Sequence, residues 1–271
     1  MADGMSEAPR TQQAMPSRFG RPNPIAFVLI VLVAAFVLVS MDDVGLSMSE
    51  LVDGVPGMVR MFMSMMPPDL SRIGSIGWSL LETFQMAVVG TVLGVALSVP
   101  LAILASRRQT PNKVVYLAVR SLISLFRTVP DLVWALFFVI AVGLGPFAGT
   151  LAIMIDTIGF CGRFFAEAME EVDDGPQEAL RGIGANRSST VFCAVLPAAM
   201  PSFVNTSLFS LEKATRSSVV LGLVGAGGIG IELKVAMDMF AYGQAATIIL
   251  SIFILVLIVE QLSAWLRRKI M

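Results

Sequence analysis

The sequence predicts an all-α polytopic membrane protein with about six transmembrane helices. Only 14% of its 271 residues are charged, 56% are hydrophobic, and the mean hydropathy is +0.80. A soluble chain carries about 25% charged residues, so lipid must cover much of this surface. The apolar residues form long uncharged runs, and about 20 such residues in a helix cross a bilayer core of about 30 Å. The composition therefore disfavours a soluble enzyme and a disordered scaffold.

The charge balance and the rare residue types exclude several functions. With 19 basic and 20 acidic residues, the chain has no basic excess to neutralise nucleic-acid phosphates. The sequence contains no histidine, which excludes a Ser-His-Asp triad and a histidine-ligated metal. Cys161 and Cys193 have neither the spacing of a zinc motif nor that of a disulfide framework. We therefore expect no catalytic site, no metal site and no nucleic-acid partner.

The first predicted elements are a leader, a span and an outer segment. Residues 1–24 are polar, and residues 25–41 are uncharged and apolar. No small-x-small cleavage site stands out after this run, so we predict an uncleaved first span behind a cytoplasmic leader rather than a signal peptide. Residues 42–77 contain more acids than bases and many methionines, which predicts a periplasmic segment with a helix lying on the membrane surface.

The remaining residues, 78–271, hold five further predicted spans. The apolar run at 114–144 is too long for one straight crossing, so Pro130 is predicted to bend it between an amphipathic helix and a crossing at 128–144. The other four spans are predicted at 80–105, 147–169, 196–221 and 245–265. Lysine and arginine gather in the leader, in the loop after the second span and at the C-terminus, which places both termini in the cytoplasm.

Five ionisable residues within or beside the predicted spans are candidates for a substrate path, because a charge in lipid is costly. They are Arg127, Asp156, Glu212, Lys213 and Arg216, and Arg163 in the predicted span 147–169 is a sixth such residue. Glu212 and Arg216 are four residues apart and can pair on one helix face, which is a purely structural role. Alternatively, Lys213 or Arg216 faces an aqueous path and attracts an anion, while Glu212 moderates the affinity so that the anion can leave.

The glycines after the fifth predicted span match the letters of a dinucleotide-binding fingerprint, G-x-G-x-x-G, at Gly225, Gly227 and Gly230. No alternating series of strands and helices surrounds them, so a Rossmann phosphate loop is not predicted. Together with Gly228 they predict a close-packed outer turn. This turn is either a gate of the path or only a tight turn.

The longest polar stretch after the leader, residues 171–190, carries the most specific pattern. The triplet EAL at 178–180 is followed after three residues by Gly184, and after nine more by AVLP at 194–197. This spacing resembles the EAA signature of ABC importer permeases, glutamate-alanine-alanine-x3-glycine-x9-isoleucine-x-leucine-proline. Leucine replaces the second alanine and alanine replaces the isoleucine, and both substitutes are small or apolar.

The resemblance implies that residues 171–190, called the coupling segment below, form a cytoplasmic knob that docks into an ATPase. Pro176 can open a short helix, Gly184 permits a sharp turn, and residues 188–190 can cap the next helix. Small side chains let a partner surface approach closely. The predicted ATPase-coupling residues are Glu178, Ala179, Leu180, Gly182, Gly184, Ala185 and Asn186.

Three further stretches resemble the permease subunit of phosphonate ABC transporters. They are RTVPDLVWA at 127–135, VGLGPFAG at 142–149, and ATRS at 214–217 leading into GLVGAGGIG at 222–230. The resemblance covers most of the chain from about residue 80, so it makes residues 78–271 the permease core. It implies a fold like that of type I ABC importer permeases.

The resemblance also implies partners and a substrate class. The permease would be a homodimer in the bacterial inner membrane, with two cytoplasmic ATPase subunits and a periplasmic substrate-binding protein. No Walker A sequence occurs, so ATP and Mg are expected in the separate ATPase chain and no cofactor in this chain. The substrate would be phosphonate or a related phosphorus oxyanion, phosphite or hypophosphite, imported by alternating access.

Three alternatives remain open. An ABC importer permease for another small solute, such as an amino acid or methionine, would share the EAA spacing and the glycine-rich turn. Asp156 stands where many relatives are expected to carry histidine, which leaves the choice of ligand open. The second alternative is an ungated channel, which would need no coupling segment. The third is an intramembrane enzyme, in which Asp156 and Glu212 would act as an aspartyl pair.

Overall fold

The computed structural model describes residues 24–45, 47–110 and 112–270, so nearly all of the predicted leader, 1–24, lies outside the described residues. The described residues form helices joined by turns, and none of them lies in a β-strand. The predicted all-α fold is therefore confirmed. The helices are α1 (Pro24–Asp43), α2 (Met48–Ser64), α3 (Ile73–Ala105), α4 (Lys113–Thr128), α5 (Asp131–Val142), α6 (Pro146–Glu170), α7 (Asp174–Gly182), α8 (Arg187–Thr190), α9 (Leu196–Leu223), α10 (Ile229–Asp238) and α11 (Tyr242–Ile270), with a π-helical turn at Val191–Val195.

Five of these helical segments are long and apolar enough to cross a membrane, or six if α4 and α5 together make one bent span. The five are α1, α3, α6, α11 and the continuous helix Arg187–Leu223, which joins α8, the π-helical turn and α9. The count agrees with the prediction of about six spans.

The predicted crossing at 128–144 needs correction. The chain does bend by 92° between α4 and α5, and Pro130 stands directly before α5. However, α5 has only 12 residues, and a helix of that length rises about 18 Å, less than the bilayer core. Helix α5 alone is therefore too short for the predicted crossing, and α4 with α5 forms either one broken span or a re-entrant loop.

The described residues divide between two compact units, the first ending at Val59 and the second starting at Arg60. Helix α1 and most of α2 belong to the first unit. The apolar stretch Pro24–Met41 of α1 contains no buried residue, and its mean hydropathy is 2.9. Both values are expected for a helix surrounded by lipid. Helix α2 continues through Pro56 and carries Glu50, Asp53 and Arg60 among methionines, valines and phenylalanine.

In the second unit α3 and α6 pack very closely because glycines face the neighbouring helix. A Cβ atom at Gly94 would lie 2.5 Å from the Thr157 Cβ, and one at Gly90 would lie 2.7 Å from Ile153. Such small residues let membrane helices approach each other where no hydrophobic driving force exists. One apolar cluster joins α3, α6 and α9. Within it, the rings of Phe165 on α6 and Phe203 on α9 stack with their centroids 4.1 Å apart.

Candidate functional site

The first of the two short helices in the coupling segment, α7, ends in a glycine turn. Helix α7 starts at Asp174, so Pro176 lies in its first turn, where a missing N–H group does no harm. After α7 the backbone of Gly184 has a φ of +86°, a conformation that favours glycine. The Ala185 N–H donates to the Leu180 carbonyl at 3.0 Å, which is typical of a glycine-terminated helix.

The cap of the next helix differs from the prediction. Residues 188–190 were expected to cap it, but they lie inside α8. The cap is Asn186, whose side-chain oxygen accepts the Ser189 N–H at 2.8 Å. Asn186 has an extended backbone, with a φ of −75° and a ψ of 169°. The side chain of such a residue, directly before the first helical turn, can accept hydrogen bonds from the free N–H groups of that turn.

Contacts with the loop after α3 hold the coupling segment in place. The Arg108 guanidinium lies 2.7 Å from the Asp174 carboxylate, and the Gln109 side chain donates to the buried Gln177 at 3.4 Å. Nothing lies within 4 Å of the position where a Cβ would stand on Gly182 or Gly184. The segment is thus anchored on one side and open on the other.

The open side carries an apolar residue that was not among the predicted coupling residues. The Ile183 side chain is 82% exposed, although it lies in a polar segment between Gly182 and Gly184. A single large aliphatic residue beside small neighbours can anchor a partner surface. Its isolation between two glycines is the signal in the sequence that could have identified it.

A continuous helix runs from the coupling segment into the membrane core. The helix Arg187–Leu223 has 37 residues, which corresponds to about 55 Å of rise. Its π-helical turn, Val191–Val195, widens the helix locally without interrupting it. The same helix therefore holds the end of the coupling segment and the ionisable residues of α9.

The three ionisable residues of α9 each pair with a different side chain on a neighbouring helix. Glu212 accepts from Arg267 on α11 at 2.6 Å, and Arg216 lies 3.1 Å from Glu260 on the same helix. The first of the two alternatives, a pairing of Glu212 with Arg216 on one helix face, is therefore wrong. That single pair would have left Glu260 and Arg267 without partners, whereas the two interhelical pairs neutralise all four charges.

Lys213 pairs with Asp156 of α6, a combination that the sequence did not predict. Its ammonium group lies 2.8 Å from both carboxylate oxygens and 5.5 Å from the centre of the Phe160 ring. The lysine side chain is 37% exposed and that of the aspartate 17%. An anion that approaches Lys213 must therefore compete with an internal carboxylate, and this carboxylate is Asp156 rather than Glu212.

The Lys213–Asp156 pair is one end of a strip that runs along α6 and α9. Residues 156, 160 and 164 on α6 are spaced by four, as are 205, 209 and 213 on α9, so each set lies on one helix face. The rings of Phe160 and Phe209 stack with centroids 5.7 Å apart. Next to the strip, a cavity of about 270 Å³ is lined by Phe160, Phe164, Asn205, Thr206 and Phe209.

Arg127 lies at the other end of this strip, which is called the α6–α9 strip below. Its guanidinium is 5.7 Å from the centre of the Phe164 ring, a cation–π contact. Among the described residues no carboxylate pairs with Arg127. The structure therefore brings Arg127, Asp156 and Lys213 to one strip, while Glu212 and Arg216 belong to the contact between α9 and α11.

The glycine turn at 222–230 is close-packed, and two of its backbone N–H groups donate hydrogen bonds to side chains of α3. A Cβ atom at Gly227 would lie 2.6 Å from Pro146, and one at Gly230 would lie 2.1 Å from the Val219 carbonyl oxygen. The Gly228 N–H donates to Glu82 at 3.2 Å, and the Ile229 N–H donates to Thr83 at 2.7 Å. Since these donors are engaged within the chain, they are not free to cradle a phosphate group.

Asp156 and Glu212 do not form the aspartyl pair that an intramembrane enzyme would need. Each is engaged by a cation, Asp156 by Lys213 and Glu212 by Arg267. Within 24–45, 47–110 and 112–270, no group of three or more Cys, Asp or Glu side chains is placed to hold a metal ion.

Comparison with known proteins gives a family and several relatives. A family model described as "Binding-protein-dependent transport system inner membrane component" matches residues 98–271. The chain is 37% identical over 240 residues to a phosphite transport system permease protein, PtxC, of Stutzerimonas stutzeri, covering 88% of this chain and 87% of that protein. It is 39% identical over 239 residues to a phosphate-import permease protein, PhnE, of Mycolicibacterium smegmatis, covering 88% of this chain but only 44% of that longer protein.

Solved structures share the fold. The permease chain from an inward-facing crystal form of the MetNI methionine ABC transporter superposes with a TM-score of 0.66. The match covers 75% of this chain and 99% of that chain at 21% sequence identity. At this identity the likeness shows the architecture alone.

Proposed function

Because the chain belongs to the family of binding-protein-dependent transport system inner membrane components, we propose that it imports phosphonate or a related phosphorus oxyanion such as phosphite. The chain is a multi-pass inner-membrane permease subunit of an ABC importer and not an enzyme, so the resemblance seen in the sequence is confirmed. The observation that carries the substrate proposal is the 37% identity to a phosphite permease over most of both chains. The amino-acid alternative is less supported, because methionine import permeases of Bacillus subtilis and Vibrio cholerae are only 27% and 26% identical to this chain over shorter stretches.

The α6–α9 strip supports a path for an anion between two copies of the chain. Lysine, arginine and asparagine side chains on membrane helices are costly unless they face water or protein. We place the strips of two permease copies opposite each other, so that Lys213 and Arg127 attract the oxyanion. In the absence of substrate the Asp156 carboxylate is paired with Lys213. The oxyanion must compete with this carboxylate, which keeps the affinity of the site for the oxyanion low enough for release.

The coupling segment supports docking to the ATPase. Glu178, Ala179 and Gly182 are exposed on its open side, with Ile183 as the apolar anchor. In this proposal two cytoplasmic ATPase chains bind ATP and Mg, and their closure moves the helix Arg187–Leu223. Leu180, Gly184, Ala185 and Asn186 shape the docking surface through the glycine turn and the Asn186 cap.

The outer side of the core would receive substrate from a periplasmic binding protein. In this arrangement the glycine turn, with Gly225, Gly227, Gly228 and Gly230, closes the outer end of the path. In this proposal both chain termini are cytoplasmic and α2 is an interfacial helix on the periplasmic side.

The first experiment measures ATP hydrolysis by the complex of permease, ATPase and binding protein reconstituted in lipid vesicles. Methylphosphonate, phosphite, phosphate and methionine are added in turn. We expect stimulation by methylphosphonate or phosphite and none by methionine. Stimulation by methionine alone would contradict the substrate, and failure of the permease to copurify with an ATPase would contradict the whole function.

A second experiment tests the role of the internal carboxylate. In Asp156→Asn the Lys213 ammonium is free, so half-maximal stimulation should occur at several-fold lower substrate while maximal uptake falls. The double variant Asp156→Asn/Lys213→Gln removes both charges and serves as the control for stability. If the single variant matches the wild type in both parameters, the strip does not contact the transported anion.

A further inference from the structure

A second cationic site lies outside the α6–α9 strip, at the junction of α3, α4 and α6. A cavity of about 270 Å³ is lined by Ala105, Leu117, Arg120, Ser121, Ile123, Ser124, Arg163 and Ala166. This cavity, called the α4 cavity below, brings together arginines from two helices and two serines from one turn of α4. A tetrahedral oxyanion takes only part of such a volume, so the space suffices for a phosphate group.

Both arginines keep free donors inside the α4 cavity. Arg163 bonds Glu167 through its Nε atom at 2.8 Å, which leaves its two terminal nitrogens without a partner among the described residues. Arg120 uses one terminal nitrogen for the Tyr116 hydroxyl at 2.7 Å and for Glu170 at 3.5 Å. Planar guanidinium groups are suited to bind phosphate oxygens in pairs.

The serines add neutral hydrogen-bond donors to the same wall. Ser121 and Ser124 are exposed, and neither hydroxyl has a hydrogen-bond partner among the described residues. A hydroxyl can donate to an oxyanion without adding charge. Glu167 and Glu170 offset the two arginines, so a ligand with a single negative charge suits this site better than a highly charged one.

A shallow apolar cavity, wide open to the surroundings, continues from the α4 cavity along one face of the same helix. It measures about 410 Å³, is lined by Lys113, Val114, Leu117, Ala118 and Ser121, and shares Leu117 and Ser121 with the α4 cavity. A small oxyanion has no use for such an apolar extension. A phosphate group attached to a hydrocarbon chain would fill both cavities, with Lys113 at the rim.

The position of the α4 cavity matches the inner leaflet. Helix α4 follows the loop with Arg107 and Arg108, which the positive-inside rule assigns to the cytoplasmic side. Glu170, the partner of Arg120, is the last residue of α6. Basic pockets between membrane helices on this side are suited to anionic lipid headgroups.

We propose that the α4 cavity binds the phosphate headgroup of an anionic phospholipid, whose acyl chain follows the apolar cavity beside α4. The lipid links α4 to α6 next to the bend between α4 and α5. This site is separate from the transported solute, so it stands even if the substrate proposal fails.

The test counts lipids retained by the full complex. The complex is extracted from vesicles containing phosphatidylglycerol and phosphatidylcholine and is examined by native mass spectrometry. We expect one phosphatidylglycerol to be retained per permease chain and Arg163→Gln to lower its retention about tenfold, as for the loss of a charged hydrogen bond. Arg268→Gln, which removes a basic residue at the end of α11, is the matched control and should retain the lipid.

Two further measurements keep the result decisive if Arg163→Gln folds poorly. Arg163→Lys keeps the charge but loses the planar fork, and Ser124→Ala removes one hydroxyl, so both should lower retention less than Arg163→Gln. Equal retention by the wild type and all three cavity variants would overturn the proposal. Binding of inorganic phosphate that depends on Arg163, without retention of phosphatidylglycerol that depends on Arg163, would also overturn it and assign the site to a free oxyanion.

Discussion

The glycine turn at 222–230 and the coupling segment at 171–190 both contain glycines with positive φ, but their surroundings are opposite. A Cβ atom at Gly230 would meet backbone atoms of α9 at 2.1 Å and 2.8 Å. A Cβ atom at Gly182 or Gly184 would meet nothing within 4 Å. In the turn, glycine lets two backbones touch, whereas in the coupling segment it leaves space that this chain does not fill. The same residue type thus marks a packed part of the fold and a free surface.

The largest expected effect comes from filling the packed turn. Gly230→Ala forces α9 and α10 apart, because the clash is with backbone that cannot rotate away, and we expect a loss of about 3 kcal/mol in stability. Thermal unfolding in detergent and the yield of monodisperse protein measure this loss. Gly182→Ala is the matched control, and a short helix should tolerate or favour it. Equal melting temperatures for the two variants would show that the turn is not close-packed.

The free surface can be tested without disturbing the fold. Gly182→Arg places a bulky cation where the ATPase is proposed to dock, so membrane insertion should be normal while ATP-driven uptake falls at least about tenfold, the effect of losing about 1.4 kcal/mol of docking. Gly184 is less suitable, because its φ of +86° strains any other residue. Wild-type uptake by Gly182→Arg, with Gly182→Ala alongside, would remove Gly182 from the docking surface.

The ion pairs of α9 should also differ in how much they stabilise the fold, with the buried pair contributing more than the exposed one. Glu212→Gln leaves Arg267 without its partner, and since the Glu212 side chain is only 9% exposed, we expect a loss of about 2 kcal/mol in stability. Arg216→Gln breaks a pair whose side chains are 50% and 39% exposed, so the loss should stay below about 1 kcal/mol. Melting temperatures compare the two variants, and a larger effect of Arg216→Gln would reverse this ranking.

The smallest effect is expected at the outer connection between α3 and α11. The Ser71 backbone N–H and hydroxyl, followed by the Gln244 side chain, lower the pKa of Asp69 from its usual value. A carboxylate with a lowered pKa stabilises the fold above its unfolded pKa, about 3.9, and this contribution disappears as the pH falls through the folded pKa. Asp69→Asn should therefore melt slightly below the wild type at pH 6, with the gap closing below about pH 4. If the difference in melting temperature persists below about pH 4, the charge of Asp69 is not its cause.

Local signals in the sequence predicted much of the fold. Hydropathy located the spans, Pro130 located the bend, and the glycines located both turns, because each of these depends on a few neighbouring residues. The capping residue was missed, since serine, threonine and asparagine all cap helices and only the backbone conformation chooses Asn186. The length of α5 was missed because the apolar run continues past the end of the helix at Val142.

The charge pairs could not be predicted from the sequence. Lys213 and Asp156 are 57 residues apart, and their contact depends on which faces of α6 and α9 pack together. Glu212 and Arg216 have the spacing of an intrahelical pair, yet partners on α11 bind both of them instead. The sequence located the charged residues but not their partners, because pairing is decided by helix packing.

The continuous helix Arg187–Leu223 makes this part of the protein sensitive to length rather than to composition. An α-helix turns by about 100° per residue. One residue inserted between Leu196 and Glu212 would rotate Lys213 away from Asp156, although every original side chain would still be present. No loop interrupts this stretch to absorb an insertion or a deletion. The number of residues between the coupling segment and Lys213 therefore decides whether Lys213 meets Asp156.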